Sequence, residues 1–309
     1  MSDSTAPGPI AAWTMAARPK TLPASTSGVI VGSALSFSIG RFELVAALAA
    51  FVVALALQIA SNFANDVFDF ESGADSMRAH GPTRVTQSGI LSPRQVKAGL
   101  LVVIAVAALT GLGLVFHGLA LSPGSWPWLL GTGALAIASS VAYTAGPFPL
   151  SRLGLGDLFV LIFFGFAATM GTYFVQAGRL SAACALLSLG PGLVIVAILV
   201  VNNLRDMEED RETGKRTLAV RFGRGFAMAE YLACVSLSYV VLGIAVALGL
   251  VSAWSLLALL SLPLAAKNVR RVFTARGPAL NAALAGTGML SFVWALLFAA
   301  GLVVAVFLR

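Results

Sequence analysis

Long apolar blocks broken by short polar loops dominate this chain. A helix needs roughly 20 apolar residues to cross a bilayer. Blocks near residues 21–39, 43–64, 96–116, 126–145, 156–175, 182–203, 227–250, 253–266 and 281–308 therefore predict nine spans, of which the eighth is the shortest. Inside lipid the backbone must satisfy its own polar groups, so these blocks are expected to be helices rather than open strands. The pattern predicts an all-α integral membrane protein. Residues 1–20 read as a tail with an interfacial segment, AAWTMAARPKTLP, and residues 21–309 as one transmembrane domain.

The distribution of charge tests the count. With nine spans, the N-terminus and every second loop share one side. That side receives Arg18 and Lys20, then Arg78, Arg84, Arg94 and Lys97, then Arg152. It also receives Arg205, Arg211, Lys215, Arg216, Arg221 and Arg224, and finally Lys267, Arg270, Arg271 and Arg276. Only Arg41, Arg179 and Arg309 fall opposite. The positive-inside rule makes the charged side cytoplasmic, and the cell membrane the expected location. A hydrophobic fraction of 58%, only 11% charged residues and a mean hydropathy of +0.91 exclude an ordinary soluble domain. The net charge of +7 follows from this topology and from attraction to the lipid surface. No long basic run or basic patch interleaved with aromatics supports nucleic-acid binding. Cys184 and Cys234 lie singly inside spans and read as packing residues.

Candidate chemistry sits at two span ends. NDVFDFESGAD carries Asn65, Asp66, Asp69, Glu71 and Asp75, and NNLRDMEEDRETGKRT carries Asn202, Asn203, Asp206, Glu208, Glu209, Asp210 and Glu212. Together they hold nine of the chain's 13 acidic residues. Carboxylates this close to hydrocarbon are costly and mark a functional site by default. Residues three or four apart share a helix face, so Asn65 and Asp69 point together, as do Asn202, Asp206 and Asp210. Each run is an Asn-x3-Asp closed by a glycine, Gly73 or Gly214, which suggests two related halves facing one another. Two oxygen-rich helix ends suit Mg²⁺, which takes a few carboxylates plus water and substrate phosphate. Glu71, Glu208, Glu209 and Glu212 read instead as solvated residues, and Asp66 fits either description.

Basic residues fit the anion such a metal would carry. Lys20 precedes the first span, Arg205 adjoins Asp206, Lys215 and Arg216 follow Gly214, and Arg84 lies in GPTRVTQSGILSP. Lys is a point-charge partner for phosphate and Arg grips it bidentately; each is equally an ordinary inside-facing charge. Tyr143 ends the fourth span, where a belt tyrosine is common. His80 and His117 receive no role.

The two acidic motifs, each after the expected span, resemble those of the UbiA superfamily of intramembrane aromatic prenyltransferases, and the similarity covers most of the chain. ARPKTLPAS, NDVFDFESGAD, GPTRVTQSG, YTAGPFPL with LGLGDLFV, and NNLRDMEEDRETGKRTLAVRFG look most like the branch acting on 1,4-dihydroxy-2-naphthoate in menaquinone biosynthesis. Asp75 lies six residues beyond Asp69, a wider spacing than the superfamily's first motif often shows. The resemblance implies nine helices around a central cavity. It implies Mg²⁺ held by Asn65, Asp69, Asp75, Asp206 and Asp210, and polyprenyl diphosphate held by Lys20, Arg84, Asn202, Arg205 and Lys215. Asp69, Asp206 and Tyr143 would be catalytic, Tyr143 lying near the reacting allylic carbon. The implied reaction is prenylation with loss of CO2 to give demethylmenaquinol. Other members would use 4-hydroxybenzoate, homogentisate or a tetrapyrrole instead. A membrane transporter, the other class considered, would place ionisable groups at mid-span, where this chain has few.

Overall fold

A computed structural model describes residues 7–73, 84–145 and 149–308. All regular structure among them is helical. A short apolar helix, α1 (Pro9–Ala17), leads into α2 (Leu22–Ser38), α3 (Leu44–Glu71), α4 (Pro93–Leu121) and α5 (Trp126–Ala142). After a turn at Leu150–Leu153 come α6 (Gly156–Ala177), α7 (Ala182–Arg205), the short α8 (Met207–Glu212) and α9 (Leu218–Ala247). A 3₁₀ segment, Ala253–Ser261, runs into α10 (Leu262–Thr274), and α11 (Asn281–Phe307) follows. The chain is thus a multi-pass membrane protein.

Among the described residues, six helical stretches are long and apolar enough to cross a membrane: α3, α4, α6, α7, α9 and Gly277–Phe307. The predicted first and fourth spans are helices of 17 residues each, α2 and α5. The predicted eighth begins as the 3₁₀ segment and continues past its expected end at 266. Ala265, Asn268 and Val272 on α10 are buried while Lys267 and Arg270 are exposed, so one face packs although the sequence turns polar. Arg224 extends the helix by donating from Nη2 to the carbonyls of Val272 (3.2 Å) and Ala275 (2.8 Å), which would otherwise lack partners at a helix end. At α9 the helix starts earlier than the apolar pattern does. Thr217 accepts from the Val220 N–H as N-cap, and the chain breaks at Gly223 (φ 81°) before running on.

The segment around α1 joins the core. Ala12 and Ala16 are buried, and the Trp13 ring meets Phe63 of α3 at 5.5 Å between centroids. Asn62 fixes the turn that follows, donating from Nδ2 to the Ala17 carbonyl (2.9 Å) and to Thr21 Oγ1 (3.1 Å).

Close helix approach in a hydrocarbon setting relies on small residues at the crossings. A Cβ at Gly165, within the π-helical stretch of α6 (Leu161–Ala167), would lie 3.0 Å from the Gly192 Cα. Two residues before Gly192, the fully buried Trp294 of α11 brings the edge of its ring against Gly190 and stacks on Phe298 at 5.5 Å. These crossings bring α6, α7 and α11 together without space between them. The open volume lies elsewhere, in a cavity of about 460 Å³ whose walls come from α2, α3, α4, α5 and α6. Val29, Ala54, Leu57, Val115, Phe163 and Phe164 make it almost wholly apolar.

A Cβ at Gly190 would sit 2.4 Å from the Trp294 ring, which has nowhere to move. Gly190→Ala should destabilise by about 1–3 kcal/mol, as overpacked cores do. Combined with Trp294→Phe, it should cost less than the two single losses added together. Thermal unfolding of the purified variants in detergent checks both statements.

Candidate active site

The first acidic cluster is the last two turns of α3 itself. The helix outruns its apolar block and carries Asn65, Asp66 and Asp69 before ending at Glu71, with Gly73 at φ +73° just beyond. That left-handed conformation suits glycine and commonly terminates helices. Asp69 is buried and paired with Arg84 Nη2 at 2.6 Å. The same guanidinium donates from Nη1 to the Asn65 carbonyl, and Thr144 donates to Asn65 Oδ1. Asp66, which the sequence left between two roles, takes backbone partners instead. Its carboxylate accepts the Val85 (3.2 Å) and Thr86 (2.9 Å) N–H groups and so anchors the segment that delivers Arg84. Asp75 lies outside the described residues.

The second cluster spans the α7–α8 junction. Backbone bonds from Asp206 N–H to the Asn202 carbonyl and from Asp210 N–H to the Asp206 carbonyl keep one helical face through it. Asn202, Asp206 and Asp210 therefore share a side, as their spacing predicts. The run closes at Gly214 (φ +74°), where the Lys215 N–H bonds the Asp210 carbonyl and the Gly214 N–H that of Arg211. This paired closure satisfies two helix-end carbonyls. It also folds Lys215 back, so that Nζ lies 3.1 Å from Asp210 Oδ1. Burial pushes the Asp210 carboxyl pKa up, and Lys215 opposes that shift.

Arg205 orders this cluster. It grips Asp206 through two 2.6 Å bonds, from Nε to Oδ1 and from Nη2 to Oδ2. Further bonds reach Asn202 Oδ1 (2.9 Å) and Asn281 Oδ1 (2.8 Å) at the start of α11. Only 4% of Arg205 is exposed, so its guanidinium serves first to hold Asp206. The residues read as bystanders lie further out. Glu71 pairs with Lys97 at 2.7 Å on the surface, and Glu208 and Glu212 are exposed. Lys20 is also exposed, on the turn pinned by Asn62.

Tyr143 connects the clusters to the cavity. It caps the C-terminus of α5, lines the apolar cavity and lies in the electrostatic field of Asp157, Asp210 and Asp69. Its neighbour Thr144 holds Asn65, so the end of α5 is fixed to the first cluster. A Cβ at Gly156 would approach the Tyr143 hydroxyl to 3.3 Å, which places the start of α6 directly against the phenol. Sequence reasoning passed over Thr144, Asn281 and Asp157. Asp157 had one legible signal, as one of four acids outside both clusters.

The donor set is one of hard oxygens, each carboxylate compensated by a cation or by backbone N–H groups. Among the described residues, no three His, Cys, Asp or Glu side chains converge closely enough to hold a metal. Such a site suits a hard cation that arrives with an anionic substrate and completes its shell with phosphate and water. Basic side chains interleaved with the acids can take phosphate oxygens when the carboxylates turn to the cation.

Residues 22–296 match the UbiA prenyltransferase family. The chain is 40% identical over 271 residues to the 1,4-dihydroxy-2-naphthoate octaprenyltransferase of Escherichia coli, covering 86% of each. In fold it is similar to a UbiA homolog from Aeropyrum pernix K1, with a TM-score of 0.67 at 17% identity over 93% of this chain and 98% of that one. It is also similar to a UbiA homolog from Archaeoglobus fulgidus solved with GPP and Mg²⁺, with a TM-score of 0.60 at 14% identity over 94% and 99%.

Replacing Asp66 strands two buried N–H groups, at a cost of about 1–3 kcal/mol. Asp66→Ala should lower the unfolding temperature, and Asp66→Asn, which keeps one acceptor, should lower it less. Unfolding of Asp66→Ala at the wild-type temperature would contradict the anchoring role.

Proposed function

We propose, for a chain that belongs to the UbiA prenyltransferase family, that it transfers a polyprenyl group from polyprenyl diphosphate to 1,4-dihydroxy-2-naphthoate. The ring carboxylate leaves as CO2 and the product is demethylmenaquinol. The observation that carries this reading is the 40% identity, over 86% of both chains, to an enzyme named for that acceptor. The geometry supports it independently. An apolar cavity suited to an isoprenoid chain ends at Tyr143, in the field of carboxylates from both clusters.

Asn65, Asp69, Asp206 and Asp210, with Asp75, would hold Mg²⁺, which would neutralise diphosphate charge. The Archaeoglobus homolog, solved with GPP and Mg²⁺, supports that assignment. Lys20, Arg84, Asn202, Arg205 and Lys215 would contact the diphosphate. Arg84 and Arg205 are bonded to Asp69 and Asp206 in this structure, so their share in binding begins with an exchange of partners. Preorganised cations stabilise the charge that develops on the leaving group, and this lowers the barrier to ionising the allylic C–O bond. Tyr143, at the cavity end, would face the allylic cation with its ring and phenol oxygen. The apolar walls keep water from that cation. The unit doing this work is residues 21–309, in the cell membrane with the N-terminus and both clusters on the cytoplasmic side. Residues 1–20 form the tail and interfacial segment.

Purified protein given a prenyl diphosphate, Mg²⁺ and a panel of aromatic acceptors should form product with 1,4-dihydroxy-2-naphthoate. A chelator should abolish the reaction, and Asp69→Ala should reduce it by about 100-fold or more, as loss of a charge-stabilising group does. Product with 4-hydroxybenzoate but none with the naphthoate would overturn the choice of acceptor. Full magnesium-dependent transfer by Asp69→Ala would overturn the site.

A further inference from the structure

Asp157 is one of the acids that neither cluster accounts for. The other buried carboxylates at this end of the molecule have described partners: backbone N–H groups for Asp66, Arg84 for Asp69, Arg205 for Asp206 and Lys215 for Asp210. Asp157 Oδ1 is buried and accepts no hydrogen bond among the described residues. Its electrostatic neighbours are acids in their turn: Tyr143 at the end of α5, and Glu230 and Cys234 on α9. A buried carboxylate oxygen without a donor is costly, and one kept in a site calls for a donor that arrives with a ligand.

Its position says which ligand. Asp157 follows Gly156, which abuts the Tyr143 hydroxyl, and it precedes Phe159 and Val160 on the cavity wall. Asp157 shares the electrostatic field at the Tyr143 hydroxyl with Asp210 and Asp69, and those two are held by Lys215 and Arg84. Asp157 thus borders the polar end of the cavity, next in sequence to the glycine set against the Tyr143 hydroxyl and two residues before the wall at Phe159. An aromatic acceptor must reach that end to meet the allylic carbon, and its hydroxyl groups are donors.

We propose that Asp157 accepts the hydroxyl proton of the aromatic acceptor; this rests on the reaction proposed above. The ring carbon bearing the carboxylate forms the new bond to the allylic carbon while the adjacent O–H bond breaks. The proton passes to Asp157, and the O–H electron pair becomes the second bond of a C=O group. The resulting β-keto carboxylate then breaks its C–CO2 bond. That electron pair restores the aromatic ring and leaves an oxyanion, which takes the proton back from Asp157. CO2 departs, diphosphate has already left with its own bonding pair, and Asp157 finishes as it began. A general base in this position couples attack to decarboxylation, and it favours acceptors with a hydroxyl next to the reacting carbon.

The test compares wild type, Asp157→Asn and Asp157→Glu, using a prenyl diphosphate, Mg²⁺ and 1,4-dihydroxy-2-naphthoate or its methyl ether at the hydroxyl beside the carboxylate. Asp157→Asn should lower kcat/KM for the naphthoate by about 100-fold or more while leaving KM for the prenyl diphosphate unchanged, and Asp157→Glu should recover part of the loss. The methyl ether should be a poor acceptor for wild type, and Asp157→Asn should use it no worse. A purely structural role would raise both KM values or lower transfer to both acceptors equally, and either result overturns the proposal. So does wild-type activity in Asp157→Asn. A wild-type protein inert toward the naphthoate would instead remove the underlying reaction, and the proposal with it.

Discussion

A carboxylate placed against hydrocarbon must be compensated, and the architecture around the two clusters follows from how theirs are. Taking a charge out of water costs several kcal/mol unless hydrogen bonds and counter-charges replace the lost hydration. Asp66 is compensated by backbone N–H groups, and this fixes the segment carrying Arg84. Arg84 in turn compensates Asp69, Arg205 compensates Asp206, and Lys215 compensates Asp210. Each pair brings a cation within hydrogen-bond reach of a carboxylate. Under the proposed reaction, a site built this way would carry both halves of a receptor for a metal–diphosphate complex. The acids can turn to the metal and the bases to the phosphates, with little net change in buried charge.

The helices supply the geometry that this exchange needs. Extending α3 and α7 past their apolar blocks carries the acids out on rigid turns, and the positive-φ glycines at 73 and 214 stop both runs. Thr144 and Asn281 tie the clusters to α5 and α11, so each is braced from a neighbouring helix. The crossings at Gly165, Gly190 and Gly192 are closed tightly around α7. The free volume is left between α2 and α6, with Tyr143 at its polar limit.

Much of this was legible in the sequence. The apolar blocks located the helical segments, and the Asn-x3-Asp spacing correctly grouped Asn202, Asp206 and Asp210 on one face. What the pattern missed are features set by tertiary contact. The extension of α10 to Thr274 depends on Arg224, 48 and 51 residues from the carbonyls it caps. The anchoring role of Asp66 depends on N–H groups 19 and 20 residues away. Arg205 reads as a phosphate ligand from its neighbours in sequence, yet its contacts to Asp206 and Asn281 show that it also holds a carboxylate in place. The wall composition of the cavity has no signal at all in a chain where nearly every helix is apolar.

The proposed reaction requires the two clusters to bind a metal–diphosphate complex together. Calorimetric titration of the purified protein with an unreactive thiolodiphosphate analogue of the prenyl donor tests it directly, with and without Mg²⁺, in wild type, Asp69→Asn and Asp206→Asn. The account predicts tight binding only with Mg²⁺, and its loss in either variant although the two residues lie on different helices. Tight binding without Mg²⁺, or binding that survives both substitutions, would contradict it.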